Sequence, residues 1–183
     1  MASATTATIS TSDVKVSGGT ARLVLEGLGQ HRKASRHILS RYGLDRPRAD
    51  NWYSEEELLE VLRTIAAAGP PFTLYNAGMY VADMTSFPPQ IDSIQQAIEW
   101  LGSVHERSHR GERIGGYTTE ETGMGSLTVV STSSYPCDFD RGLIETTARR
   151  FRPLHSGRVS IVHDDSSPCR EDGGDSCTYS VEW

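Results

Sequence analysis

The sequence predicts an α+β domain, an N-terminal helical layer packed on a four-stranded, mostly antiparallel sheet with the element order ββαββ. Three observations predict it. In the first half, apolar residues recur at steps of three and four, the spacing that lines one face of a helix. In the second half the period falls to two, as in half-buried strands. A length of 183 residues suits one domain, taken as residues 15–183 behind a small, polar, disordered tail over 1–14.

The elements follow in order. A first helix is expected from Ala21 to Tyr42, with Gly43 as its stop, although Gly27 and Gly29 weaken its start. Ser54-Glu-Glu-Glu57 is a capping box, and Leu58, Leu59, Val61, Leu62 and Ile65 follow at helical spacing until Gly69-Pro70-Pro71 ends the run. A third helix spans Leu74 to Met84. A fourth follows Pro88-Pro89 and carries Ile91, Ile94, Ile98, Leu101 and His105 on one stripe. Gly115–Thr119 and Ser126–Ser131 read as strands joined by a turn over Glu120–Gly125. Arg141–Phe151 reads as a helix with Leu143, Ile144, Thr147 and Ala148 inward, and Val159–Val162 and Thr178–Trp183 as the last strands.

Composition excludes several classes. A net charge of −6 leaves no basic face for nucleic acid, and the arginine-rich stretches are short and interrupted. No apolar run approaches the roughly 20 residues that span a bilayer, and the first dozen residues lack the charged and apolar regions of a signal peptide. A cytoplasmic location is expected. There is no nucleophile elbow, phosphate loop or dinucleotide fingerprint, so a binding module is favoured over an enzyme.

Two features carry chemistry. Cys169 and Cys177 bracket a polar Gly-Gly turn and can meet across a hairpin, leaving Cys137 and a carboxylate or imidazole to complete a tetrahedral zinc shell. Three cysteines cannot all pair as disulfides; the alternative reading is three ordinary buried thiols. His105 ends an apolar stripe and should face inward, where an imidazole can ligate a metal, bond a ligand, or simply cap the helix. His109 sits at i+4 from it, but Gly111 suggests that the helix has frayed there. His31, His37 and His155 read as surface.

Residues Ser131 to Trp183 resemble the 4-vinyl reductase-like (hydrocarbon-binding) domain. The resemblance lies in Cys137-Asp-Phe139-Asp-Arg-Gly142, an amphipathic helix, a strand, and a terminal Cys…Gly-Asp…Cys-x-aromatic-x-Val. It extends more weakly upstream through Leu74-Tyr75-Asn-Ala-Gly78 and is similar to small stand-alone bacterial versions. That family is related in fold to haem–nitric-oxide-binding domains and TRAPP trafficking subunits, which enclose a pocket between helices and sheet. The resemblance implies a structural zinc held by Cys137, Cys169 and Cys177. The family's glutamate is replaced by Ser166, so His163, Asp164 or Asp165 must supply the fourth ligand, or the site is incomplete. It also implies that Val104-His105-Glu106 matches the proximal position of the haem sensors. Their Tyr-x-Ser-x-Arg propionate clamp is missing, since the strand reads Val129-Val130-Ser131-Thr132-Ser133-Ser134, and haem is disfavoured.

The expectation is therefore a sensor or carrier for a small apolar or aromatic ligand, lined by Tyr75, Tyr80, Ile98, Leu101, His105 and Tyr117. Zinc would sit on Cys137, Cys169 and Cys177 with His163 or Asp165. The alternatives are a haem-based gas sensor using His105, a small enzyme acting on a tetrapyrrole or aromatic, and a protein-interaction subunit. A homodimer is expected through Leu23, Val24, Leu25 and Leu28, and a sensory role requires a separate output partner.

Overall fold

The structure is a computed structural model and describes residues 13–167 and 169–183. The expected tail therefore lies mostly outside the described residues, and its last residue, Val14, is buried within the domain.

A short strand β1 (Lys15–Ser17) leads into helix α1 (Gly18–Gly27), capped by the Ser17 hydroxyl, which accepts from the Thr20 N–H at 3.3 Å. The single helix expected from Ala21 to Tyr42 is instead three: α1, α2 (Gln30–Ala34) and α3 (Arg36–Arg41). The break falls at Gly29, whose φ of +56° is outside the helical region, and Gly43 at φ +66° ends α3 as expected. Strand β2 (Trp52–Ser54) runs into α4 (Glu55–Ala68), where the Ser54 hydroxyl accepts from Glu57 N–H at 3.3 Å. Helices α5 (Thr73–Met84) and α6 (Ile94–Ser108) follow. Ile91 lies before the second of these, which is capped by Ser93.

Strand β3 (His109–Arg110) then pairs with β1, which also pairs with β2, giving a small antiparallel sheet of order β2-β1-β3. Strands of two and three residues are too short to show a period, so the sequence does not announce this sheet. Its consequence is local: β1 holds the start of α4 beside the end of α6, with the Glu55 N–H bonded to Val14 C=O and Val16 paired with His109.

The main sheet contains β4 (Tyr117–Gly123), β5 (Ser126–Ser131), β6 (Ser160–His163) and β7 (Cys177–Glu182), in the order β4-β5-β7-β6 and antiparallel throughout. Helix α7 (Cys137–Phe151) runs between β5 and β6, so the predicted α+β class and ββαββ order hold. Two bounds differ. β4 continues to Gly123, which shortens the expected turn to Met124-Gly125, and α7 begins four residues earlier than expected, at Cys137.

Register decides which residues face the helices. Leu127, Val129 and Ser131 of β5 pair with Val181, Tyr179 and Cys177 of β7, and all six are buried. They meet Ile144, Ala148, Ile98 and Leu101 from α7 and α6 in one core that also takes Leu58, Leu62 and Ile65. Each of the Val, Leu and Ile side chains among them contributes about 1.5–3 kcal/mol by leaving water. Val24, Leu25 and Leu28, offered above as a dimer face, are buried in this same core, which removes the observation that suggested the dimer.

Helices α5 and α7 cross in direct backbone contact. A Cβ on Gly78 would lie 2.0 Å from the Phe139 carbonyl oxygen, and one on Gly142 would lie 2.1 Å from that of Tyr75. That crossing fixes the start of α7, and with it Cys137 and Asp140, against the helical layer.

Candidate functional site

The β6–β7 hairpin and the start of α7 converge on one cluster. Cys137 opens α7, Cys177 opens β7, His163 ends β6, and Cys169 precedes a short 3-10 turn over Arg170–Asp172. The chain folds back there because Gly173 takes φ +87° and Gly174 N–H bonds to the Cys169 carbonyl. Ligand atoms of Cys137, His163, Cys169 and Cys177 all lie within 4.8 Å of one another.

The separation of Cys137 and Cys169 Sγ is 3.8 Å, which is the edge of a tetrahedron whose centre is about 2.3 Å from each sulfur. Cys137 and Cys177 Sγ stand closer, at 3.1 Å. The His163 ring pairs its Nδ1 with Asp165 Oδ1 at 2.9 Å, while its Nε2 is buried with no hydrogen-bond partner. With a carboxylate behind Nδ1, the buried Nε2 beside the thiols can give up its proton to a metal ion, the arrangement of a ligating histidine.

Electrostatics agree. Burial opposes charge on Cys177, but the Arg170 backbone N–H, His163 and the Arg170 guanidinium outweigh it and bring the thiol down to about 7. Burial, then the neighbouring Cys177, push Cys137 up. A cation among the sulfurs would relieve this mutual repulsion. The donors thus fit Cys3His zinc. Asp165, expected as a possible ligand, is exposed and instead stands behind His163. Asp164 is spent on the Ser166 N–H and hydroxyl.

A second cluster lies deep between helices and sheet. His105 Nε2–H donates to the Ile114 carbonyl at 3.1 Å, and His109 Nδ1–H donates to the His105 carbonyl at 2.8 Å. The two rings stack with centroids 4.0 Å apart. The Tyr135 hydroxyl then donates to His109 Nε2 at 3.2 Å, and Glu55 Oε1 lies 3.4 Å from the same nitrogen. Burial lowers both histidines, His109 to about 4 with the His105 ring adding to the effect, and it raises Glu55. Both imidazoles are therefore neutral near pH 7.

These rings border a cavity of about 50 Å³, whose other lining includes Val24, Leu101, Phe139 and Leu143 with the hydroxyls of Thr20, Thr85, Ser108, Tyr117 and Tyr135 at its edge. Of the residues expected to line a pocket, Leu101, His105 and Tyr117 do so. Ile98 is buried in the core outside it, while the Tyr75 and Tyr80 hydroxyls turn outward to Glu145 and Glu26. The larger concavity, about 600 Å³, is an open polar groove beside the cysteines and acidic residues such as Asp138, Glu171 and Asp172.

Asp140 and Arg170 join the two clusters. Asp140 is fully buried and accepts from the Tyr117 hydroxyl at 2.7 Å, Ser131 at 2.7 Å, Ser133 at 3.0 Å and Arg170 Nη2 at 2.6 Å. Arg170 Nε also donates to Cys177 Sγ at 3.3 Å. Sequence reasoning passed over Asp140, Arg170, Glu55 and Tyr135.

No family model matches the chain, and no curated protein matches it. Solved structures do. An H-NOX protein from S. oneidensis in the Fe(II)NO ligation state aligns over 88% of this chain and 97% of its own, at 16% identity and TM-score 0.63. Unliganded Fe(II) H-NOX from K. algicida aligns over 91% and 95%, at 16% identity and TM-score 0.64. A structure concerned with haem redox potential and porphyrin distortion aligns over 91% and 99%, at 13% identity and TM-score 0.65. The 4-vinyl reductase resemblance finds no support among these, whereas its relation to the haem–nitric-oxide-binding fold does. At these identities the likeness concerns architecture: this chain has the fold of the H-NOX domains.

Proposed function

We propose that this chain is a sensor domain for a ligand of diatomic to few-atom size, built on the H-NOX fold and braced by a structural zinc on Cys137, His163, Cys169 and Cys177. The observation that carries the reading is the cavity of about 50 Å³ between helices and sheet, walled by apolar side chains and floored by His105, His109, Tyr117 and Tyr135. Pockets for drug-sized ligands run to ~300–1,000 Å³, so this one suits something far smaller. The fold supports the reading, because the S. oneidensis relative in architecture is described with NO on its iron. Equilibration with CO, NO or xenon tests it. Shifts confined to the NMR signals of Leu101, Tyr117 and Tyr135 are expected, and an unchanged spectrum would overturn it.

A haem-based version of the same reading is favoured by one observation, the placement of His105 at the inner end of α6 in this fold. The packing does not fit the group. A tetrapyrrole needs several hundred Å³. His105 Nε2 is committed to Ile114, and the nearby guanidinium of Arg170 is committed to Asp140, Ser133 and Cys177. Titration with haemin is expected to give no Soret band that depends on His105. A band abolished by His105→Gly would instead establish the haem version.

A further inference from the structure

We propose that Glu55, His105 and His109 form a second metal site, for a first-row divalent cation held by two imidazoles and one carboxylate. This deepens the sensor reading and rests on it for the role of the adjoining cavity. One ligand atom from each residue lies within 4.8 Å of the others, and all three residues are buried.

The tautomers point to a cation. The backbone carbonyls of Ile114 and His105 each take one imidazole N–H, which leaves the other nitrogen of each ring as a lone pair. Outer carbonyls set ligating histidines in the same way. On His109 that lone pair is Nε2, which the Tyr135 hydroxyl approaches at 3.2 Å and Glu55 Oε1 at 3.4 Å. Glu55 is 1% exposed, and Oε1 has no hydrogen-bond partner. Two acceptors facing one another in a dry interior repel unless a proton or a metal ion lies between them, and a metal ion would take the Nε2 lone pair in place of the Tyr135 hydroxyl. A separation of 3.4 Å is the spacing of two donors about 2.1 Å from a common tetrahedral metal. Two histidines and one carboxylate are a donor set for zinc or ferrous iron, with positions left open. His105 and His109 line the small cavity, so those positions face room for water or a diatomic ligand.

The two metal sites differ in chemistry, which makes them separable with Co2+. Thiolates give intense sulfur-to-cobalt charge transfer, whereas nitrogen and oxygen donors give only weak visible bands. The test is anaerobic titration of reduced, metal-depleted full-length protein, with native mass spectrometry counting the ions. Wild type is expected to take two equivalents, one with charge transfer and one without. Glu55→Gln and His109→Ala should weaken the second at least tenfold and keep the charge transfer. Cys169→Ser should lose the charge transfer and keep the weak-band ion. Should the buried variants fail to fold, X-ray absorption of the doubly loaded wild type decides: a sulfur-free shell on the second ion supports the site. A single equivalent in wild type that carries the thiolate charge transfer, or a weak-band ion untouched by folded variants, overturns it. An absent thiolate band with the second ion retained would sink only the cysteine site. Two bound ions with no response of the cavity to CO or NO would sink only the sensor reading.

Discussion

Gly78 of α5 and Gly142 of α7 each sit against the other helix's backbone, so closely that neither position has space for a methyl group. Gly78→Ala would drive Cβ into the Phe139 carbonyl and force the helices apart. Overpacking of this kind costs about 1–3 kcal/mol, and more where backbone must move. A fall in melting temperature of several degrees is expected by circular dichroism. Gly157→Ala, where nothing lies within 4 Å of the added atom, should change little.

Purified protein is expected to carry about one zinc at the cysteines by elemental analysis. Structural zinc contributes directly to folding, so Cys169→Ser should lose that metal and melt ~10 °C or more below wild type. Asp165→Ala should keep the ion but bind it about 10-fold more weakly, since it orients His163 from behind.

Arg170→Leu removes the cation from a carboxylate with no exposure. Leaving a buried charge unpaired costs about 3–5 kcal/mol. Chemical denaturation should register that loss, and the double variant Arg170→Leu/Asp140→Asn should recover much of it. Equal stability of the single and double variants would contradict the pairing.

The buried histidines make stability depend on pH in a defined direction. Their pKa values are lower in the folded chain than in the unfolded one, so between pH 6.5 and about 4 the unfolded state binds more protons and stability falls as pH falls. For His109 alone the full effect is roughly 3 kcal/mol. Glu55 acts oppositely: its raised pKa makes the folded state the better proton binder above about 4.5, so its contribution grows on acidification. In protein carrying metal only at the cysteines, His109→Gln should therefore flatten the acid-side loss and Glu55→Gln should steepen it. Urea midpoints from pH 7 to 5 check both signs.

The sequence made the architecture legible wherever an element was long enough to show a period. The stripe on α6 from Ile94 to His105, the cap at Ser54 and the strands β5 and β7 stand where the pattern put them. The small sheet did not show, because strands of two or three residues carry no period. The convergence of the three cysteines was legible from spacing, while the placement of His163 beside them with Asp165 behind it needed the hairpin register. Asp140 and Glu55 were readable but unread. Asp140 shares a stripe with Leu143, Ile144 and Thr147, and Glu55 shares one with Leu58, Leu59 and Leu62. An acid on an otherwise apolar face must be partnered inside. Tyr135 and Arg170 lie beyond any local pattern, since what they touch is set by tertiary packing.

Arg170 holds Cys177 with one nitrogen and Asp140 with another, and Asp140 holds the hydroxyl of Tyr117 at the cavity wall. A guanidinium is planar and rigid, so it cannot follow the sulfur without turning away from the carboxylate. The proposed zinc ion among the thiolates and the proposed guest of the cavity are therefore expected to be thermodynamically linked. A guest that shifts Tyr117 is expected to alter the affinity of the cysteines for zinc, and zinc to alter the affinity for that guest by the same coupling free energy.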